Sequence, residues 1–206
     1  ELTIDQVVSV AREGAVVEIT PEAMGVLRAS RQLVFDLVDS NIPVYGFNTG
    51  VGWNKDKRVF KEFFQEYNRN LIYSHCLGVE PIASEEEVRA IMLVRLNTLL
   101  VGATGVQPEI AVMYQDMLNA GVHPVIPERG SVGEADITCL SHIGLAMLGE
   151  GEAFYKGRRM PAGDALRMAG LRPVELGPKD GLAIVSSNAL AAGEAALVLH
   201  DVKTLL

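Results

Sequence analysis

Apolar positions fall at helical spacing along most of this chain. Thr20-Pro21-Glu22 supplies a cap, a proline for the first helical position and an early acid. Met24, Leu27, Val34 and Leu37 then follow on one face. Val59, Phe60, Phe63, Phe64, Tyr67 and Leu71 form a second, aromatic-rich helical stripe. Ser84-Glu85-Glu86-Glu87 has the form of a capping box, ahead of Val88, Ile91, Met92, Arg95 and Leu99. Pro108 opens a further helix that Gly121 closes. Ile137 to Leu148 predicts a short buried helix ended by Gly149, and Asp164 to Ala169 a brief one ended by Gly170. From Leu182 to Leu206 the pattern is helical again, with no stop signal at its end. A helix that ceases on two leucines predicts a longer chain or a partner over that end. Two stretches alternate as strands do: Val16-Val17-Glu18-Ile19, and a hairpin of Glu152 to Tyr155 and Arg158 to Met160 around Lys156-Gly157. There is no internal repeat and no low-complexity tract. The pattern predicts a mainly helical body with a little β, as one domain over 1–206.

Three loops interrupt the helices: Val44 to Trp53, Asn70 to Gly78 and Gly121 to Asp136. Each combines glycine with groups able to move protons or polarise a substrate, and working residues often sit on loops held by a rigid scaffold. Composition narrows what they can serve. The chain has 206 residues, 49% hydrophobic and 21% charged, with a net charge of -8. It has no Lys/Arg cluster, which argues against nucleic acid. The longest apolar runs, such as Leu99-Leu100-Val101, fall far short of the roughly 18 residues a membrane span needs. Glu1-Leu2-Thr3-Ile4-Asp5 is no basic signal region. Cys76 and Cys139 match no metal spacing and read as reduced thiols of a cytoplasmic protein, with a disulfide as the other option. No metal is expected.

In Val44-Tyr45-Gly46-Phe47-Asn48-Thr49-Gly50-Val51-Gly52, three glycines surround a tyrosine, an asparagine and a threonine. Glycine permits positive φ and close backbone approach. Tyr45 held there is either an acid-base group or a core tyrosine beside an Asn-Thr-Gly turn. His75 either titrates near neutrality or caps helix carbonyls. Its neighbour Cys76 points elsewhere on a helix, which weakens a nucleophile-base pairing. In Gly130-Ser131-Val132-Gly133-Glu134-Ala135-Asp136-Ile137, Asp136 is either a carboxylate of a site or the N-cap of the next helix. Glu134, between glycine turns, has no such structural explanation.

Taken together, Tyr45 to Gly52, Ser74-His75, His123-Pro124-Val125-Ile126-Pro127-Glu128-Arg129-Gly130-Ser131-Val132-Gly133, Gly149 to Tyr155 and Leu176-Gly177-Pro178-Lys179-Asp180-Gly181-Leu182-Ala183 resemble the histidine and aromatic amino-acid ammonia-lyase family, in the family's order and over nearly the whole chain. The resemblance implies a fumarase/aspartase-like fold, of which this would be the N-terminal portion, and homotetramers whose active sites draw on several subunits. It implies elimination of ammonia from an amino acid. Tyr45 matches the family's base for the β-proton, and His75 a histidine lining the site. Asn48, Gly52, Ser186 and Asn188 are expected to contact substrate.

The family's electrophile, a methylidene-imidazolone, forms from an Ala-Ser-Gly triad after Ser-Val-Gly. Here Glu134-Ala135-Asp136 follows instead, and alignment on Asp136 leaves only Glu134 and Ala135 where three residues are expected. No hydroxyl is available to lose, so the self-formed cofactor is expected to be absent. Glu134, Ala135 and Asp136 occupy its place in the catalytic site. A second departure puts Ser186-Ser187 where an Asn-Gly pair is usual, with Asn188 displaced by about half a helical turn. Three readings follow: an ammonia-lyase of the family, with the letter at 135 standing for a modified residue; a lyase without the electrophile, acting through Tyr45, His75 and Glu134 on a substrate with a better leaving group; or a non-catalytic relative.

Overall fold

A computed structural model describes residues 2–38, 42–132 and 135–206. Its elements are α1 (Ile4–Glu13), α2 (Pro21–Val38), α3 (Phe64–His75), β1 (Val79–Ile82), α4 (Glu85–Leu99), α5 (Pro108–Ala120), β2 (Val122–Pro124), β3 (Pro127–Arg129), α6 (Ile137–Met147), β4 (Glu152–Tyr155), β5 (Arg158–Pro161), α7 (Ala162–Met168), α8 (Asp180–Val185) and α9 (Ala189–Leu205). Single 3-10 turns cover Gly52–Asn54 and Lys61–Phe63. The architecture is mainly helical with a few short strands and a small hairpin, as the pattern predicts.

α4 is the central helix. Ala90, Ile91, Met92, Leu96 and Leu99 are buried on it, and α1, α5 and α9 pack around them. The Ser84–Glu87 capping box forms in both directions. α9 lies against α4 at backbone distance: a Cβ on Gly193 would stand 2.9 Å from the Ile91 nitrogen. The buried Arg89 ties the bundle together, donating to the carbonyls of Val10 at 2.8 Å and Leu118 at 3.0 Å, the C-terminal halves of α1 and α5. β4 and β5 form the expected hairpin, with Lys156 and Gly157 both at positive φ in its turn, and β2 adds a third antiparallel strand. β1 and β3 make a separate two-stranded pair.

Four expectations change. Val16 to Ile19 is extended but is not a strand. Side chains of α5 replace a strand neighbour: Asn119 accepts from Val17 N at 2.9 Å and donates to Val17 O at 2.8 Å, and Gln115 accepts from Ile19 N at 2.7 Å. The aromatic helix begins at Phe64 rather than Val59. Residues 57–59 instead turn back onto the first loop, through Gly50 N to Lys57 O and Val59 N to Asn48 O, both 2.9 Å. α1, with its Thr3/Gln6 capping box, was left unassigned by the pattern. The final helical stretch breaks at Ser186–Asn188 into α8 and α9. By length and composition Asp180–Leu205 passes for a membrane span. That stretch contains the break, and it buries Ala183, Ile184, Val185, Ala189, Leu190 and Leu197 in the core.

Candidate active site

All three expected loop stretches reach a cavity of about 950 Å³ together with the α8–α9 break, although the second, Asn70 to Gly78, is no loop as far as His75 but the end of α3. Tyr45, Val51, Gly52 and Asn54 come from the first loop, and Tyr67, Asn70, Leu71, Ser74 and His75 from α3. Ala135 and Ile137 come from the start of α6, and Leu182, Val185, Ser186, Ser187 and Asn188 from the break. Tyr67, Asn70, Leu71 and Ser74 share one helical face, the i, i+3, i+4, i+7 pattern.

Backbone constraints build the first wall. Gly46 has φ 65°, and a Cβ there would collide with the Leu182 side chain. Gly52 also has positive φ, which turns its N–H onto the Tyr45 hydroxyl at 2.9 Å. An N–H donor so placed stabilises an oxygen when it carries negative charge. Tyr45 is half exposed at the mouth.

The opposite wall is pinned from behind. Asp180, fully buried at the start of α8, accepts from Gly177 N at 2.7 Å and Gln107 N at 3.0 Å and pairs with Arg31 at 3.3 Å. Burial pushes the Asp180 carboxyl up and the Arg31 guanidinium down from their ordinary values. Gly181 N donates to Asn68 Oδ1 at 2.8 Å, and a Cβ on Gly181 would stand 2.8 Å from the Asn68 carbonyl. α3 and α8 are therefore locked at backbone distance, and Arg95 holds the Ala183 carbonyl further along.

His75 lines the cavity with its ring set by its own helix. Nδ1 lies 2.8 Å from the Leu71 carbonyl, an acceptor, so Nδ1 carries the hydrogen and Nε2 is left as an acceptor. Burial pushes the Cys76 thiol up to about 11, so it is no thiolate at neutral pH. Cys76 and Cys139 are both free thiols. Burial, and then Tyr45, push the Tyr67 phenol above its usual value.

Of the expected site residues, Tyr45, Gly52, His75, Ala135, Ser186 and Asn188 meet around the cavity. Glu134 lies outside the described residues. Asn48 stands behind the loop, where it accepts from Val44 N at 2.7 Å and donates to Ile42 O at 2.8 Å. Asp136 is 2% exposed and faces away from the cavity. It stands at the N-cap position just before α6, but its side chain makes no capping bond to that helix. Its carboxylate accepts instead from Ser131 Oγ at 3.0 Å and from Ala191 N of α9 at 3.1 Å, while its own N–H donates to Ser187 O at 2.8 Å. The two departures noted in the sequence are thus bonded to each other. Tyr67, Asn54, Asn70, Ser74 and Ser187 were not singled out, although the spacing on α3 pointed to three of them. No Asp, Glu, Lys or Arg lines the cavity, and no metal-holding cluster exists, among the described residues. The arrangement offers a tyrosine oxygen and a histidine nitrogen able to exchange a proton, on a surface otherwise made of hydroxyls, amides and apolar side chains.

Known proteins share this architecture. A family model described as aromatic amino acid lyase matches residues 2–206. Histidine ammonia-lyase of Treponema denticola is 45% identical over all of this chain and 41% of its own length. That of Myxococcus xanthus is 46% identical over 90% of this chain and 37% of its own. Among solved structures, the ergothioneine degrading enzyme ergothionase from Treponema denticola, in complex with desmethyl-ergothioneine sulfonic acid, has a TM-score of 0.97 and 50% identity, covering 99% of this chain and 41% of that one. Tyrosine aminomutase from Streptomyces globisporus has a TM-score of 0.92 at 37% identity, over 97% of this chain and 38% of its own. The sequence therefore spans about two fifths of the length of these relatives. Its mainly helical, fumarase/aspartase-like fold is theirs, its sequence is ammonia-lyase-like throughout, and the chain belongs to the aromatic amino acid lyase family.

Proposed function

We propose that this chain carries the proton-abstracting part of a lyase site that expels a tertiary amine from a quaternary-ammonium amino acid of the ergothioneine class. The observation that carries this reading is Ala135 on the cavity wall facing Tyr45's loop and α3. By resemblance, that is where the family forms its electrophile. A methyl group has no hydroxyl to lose, so the residues described there do not fit a methylidene-imidazolone, and no step is derived through one.

The chemistry then selects the substrate. The ammonium group of an ordinary amino acid is a poor leaving group, and an electrophile exists in the family to improve it. A trimethylammonium group needs no such help, because it has no N–H to lose to a base, so it keeps its positive charge until it departs as a neutral amine. The Tyr45 oxygen takes the proton from Cβ, and the C–H electron pair becomes the Cα=Cβ bond. The Cα–N bond breaks with its pair going to nitrogen, leaving trimethylamine and an unsaturated acid. The Gly52 N–H holds the base, and the acceptor Nε2 of His75 suits an N–H of an imidazole-type ring. Ser186, Asn188 and Asn70 supply neutral polar contacts. The likeness to ergothionase, which is described as degrading ergothioneine, supports the assignment.

No Lys or Arg lines the cavity among the described residues, so a cation for the substrate carboxylate is proposed to come from elsewhere in the assembled site. Exposed Val198, Leu199, Val202 and Leu205 on α9 support self-association, and the homotetramer and cytoplasmic location that the family resemblance implies are proposed with it. A second reading, ammonia elimination from histidine, is favoured by the identity to histidine ammonia-lyases.

The two readings separate when full-length protein is mixed with ergothioneine, histidine, tyrosine and phenylalanine. Ultraviolet absorbance of the unsaturated acid and the released amine are followed. The expected result is trimethylamine from ergothioneine and no ammonia from the amino acids. Rapid ammonia release from histidine, with an intact mass two waters below the encoded one, would refute the proposal.

A further inference from the structure

The cavity holds a second phenol that the reaction above does not use. Tyr67 sits on the α3 face that lines the cavity with Asn70, Leu71 and Ser74. Its hydroxyl is closed to solvent and meets no hydrogen-bond partner among the described residues. A buried hydroxyl left without a partner is costly, so a partner is expected in the working state. The lining residues offer few charged candidates. His75 spends Nδ1 on the Leu71 carbonyl and keeps Nε2 as an acceptor. On α8, Asp180 is turned to Arg31 and two backbone amides. On α3 itself, Arg69 is paired outside with Glu150. Tyr45 lines the same cavity, and its charge pushes the Tyr67 phenol up. Among the described residues its oxygen has the Gly52 N–H as donor, and a phenolate oxygen has room for more.

We propose that Tyr67 is a positioning residue for the base: its hydroxyl donates to the Tyr45 oxygen, directly or through one water, and holds that oxygen on the β-hydrogen. This rests on Tyr45 being the base. The bond matters most when Tyr45 carries negative charge, so it acts on the chemical step and not on substrate binding.

The test uses full-length protein with ergothioneine as substrate. Tyr67→Phe keeps the ring and removes only the hydroxyl, so the fold is retained and the thermal midpoint stays the same or rises. The kcat is expected to fall on the order of tenfold to a hundredfold, the worth of one hydrogen bond to a charged group, with KM within about twofold. A rise in KM at unchanged kcat would make Tyr67 a substrate contact and overturn the proposal, as would wild-type values of both. Tyr45→Phe is measured alongside. If that variant turns over normally, the reading of Tyr45 as base fails. If it is inactive while Tyr67→Phe behaves as wild type, only the role of Tyr67 fails.

Discussion

Replacing Asp180 with Ala tests how α8 is held in place. The carboxylate is fully buried, faces Arg31 at 3.3 Å and accepts from two backbone amides. Burial opposes ionisation of both partners, so the pair as a whole contributes little compared with apolar side chains. Removing one partner is different, because Arg31 keeps its charge and, among the described residues, is left with the carbonyls of Gly105 and Pro178 and the Phe35 ring. Breaking a buried pair in this way costs about 3–5 kcal/mol. The amides of Gly177 and Gln107 also lose their acceptor, although water entering the space would recover part of that. About 4 kcal/mol is therefore expected. It is read by denaturant or thermal unfolding of the full-length protein, as a midpoint lower by at least about 5 °C. Asp180→Asn, which keeps one acceptor oxygen, should lose less. Arg31→Met with Asp180→Ala removes the stranded charge and should recover stability relative to Asp180→Ala alone. If Asp180→Ala costs under about 1 kcal/mol, or the double variant is the sum of the singles, the pinning argument is wrong. Turnover should fall with stability, since Leu182, Val185 and Ser186 ride on this helix.

Other outcomes follow from single features. Tyr45→Phe should lower turnover at least about a hundredfold with no loss of stability, checked by steady-state kinetics and a melting curve. The buried His123 accepts from Arg89, and burial lowers it to about 4 from an ordinary 6.5, opposed by the Glu85 carboxylate and then aided by the Arg89 cation. The unfolded chain takes up a proton near pH 6.5 that folded His123 refuses until about pH 4. Stability should therefore fall as pH drops through that window, by roughly 3 kcal/mol in all. His123→Gln, which can still accept from Arg89, should flatten that part of the pH–stability curve. Gly193→Val should cost about 1–3 kcal/mol, because the new side chain meets the α4 backbone rather than a movable side chain. A Gly193→Val protein as stable as wild type would mean that α9 can slide on α4.

Much of this molecule was legible because local rules dominate where side chains meet their own helix. The capping box at Ser84, the Pro108 start and the Lys156-Gly157 turn form as spacing dictates. Legibility failed where a distant side chain took over a backbone role. Nothing near Val16 to Ile19 announces that Asn119 and Gln115 will pair with it. Similarly, Asp136 looks like the cap of its own helix until Ala191 arrives from α9. In the site, the loop glycines pointed to Tyr45 and Gly52, and the likeness to the family added His75 and Ser186. Tyr67 was read as part of an apolar stripe, which its ring satisfies. Only the packing of α3 against the first loop reveals that its hydroxyl is stranded.

The bonds made by Asp136 have a consequence for rebuilding the site. Its N–H reaches Ser187 and its carboxylate reaches Ala191, so the segment before α6 and the segment joining α8 to α9 are laced into one piece. Neither can be transplanted singly. A chimaera given another lyase's loop at 130–136 would present that loop to an unmatched 185–191 segment, and the bonds to Ser187 and Ala191 would have to re-form across a changed joint. Exchanging both segments together is the smallest graft that respects the lacing, and any route by which such a site acquires different chemistry has to carry both changes.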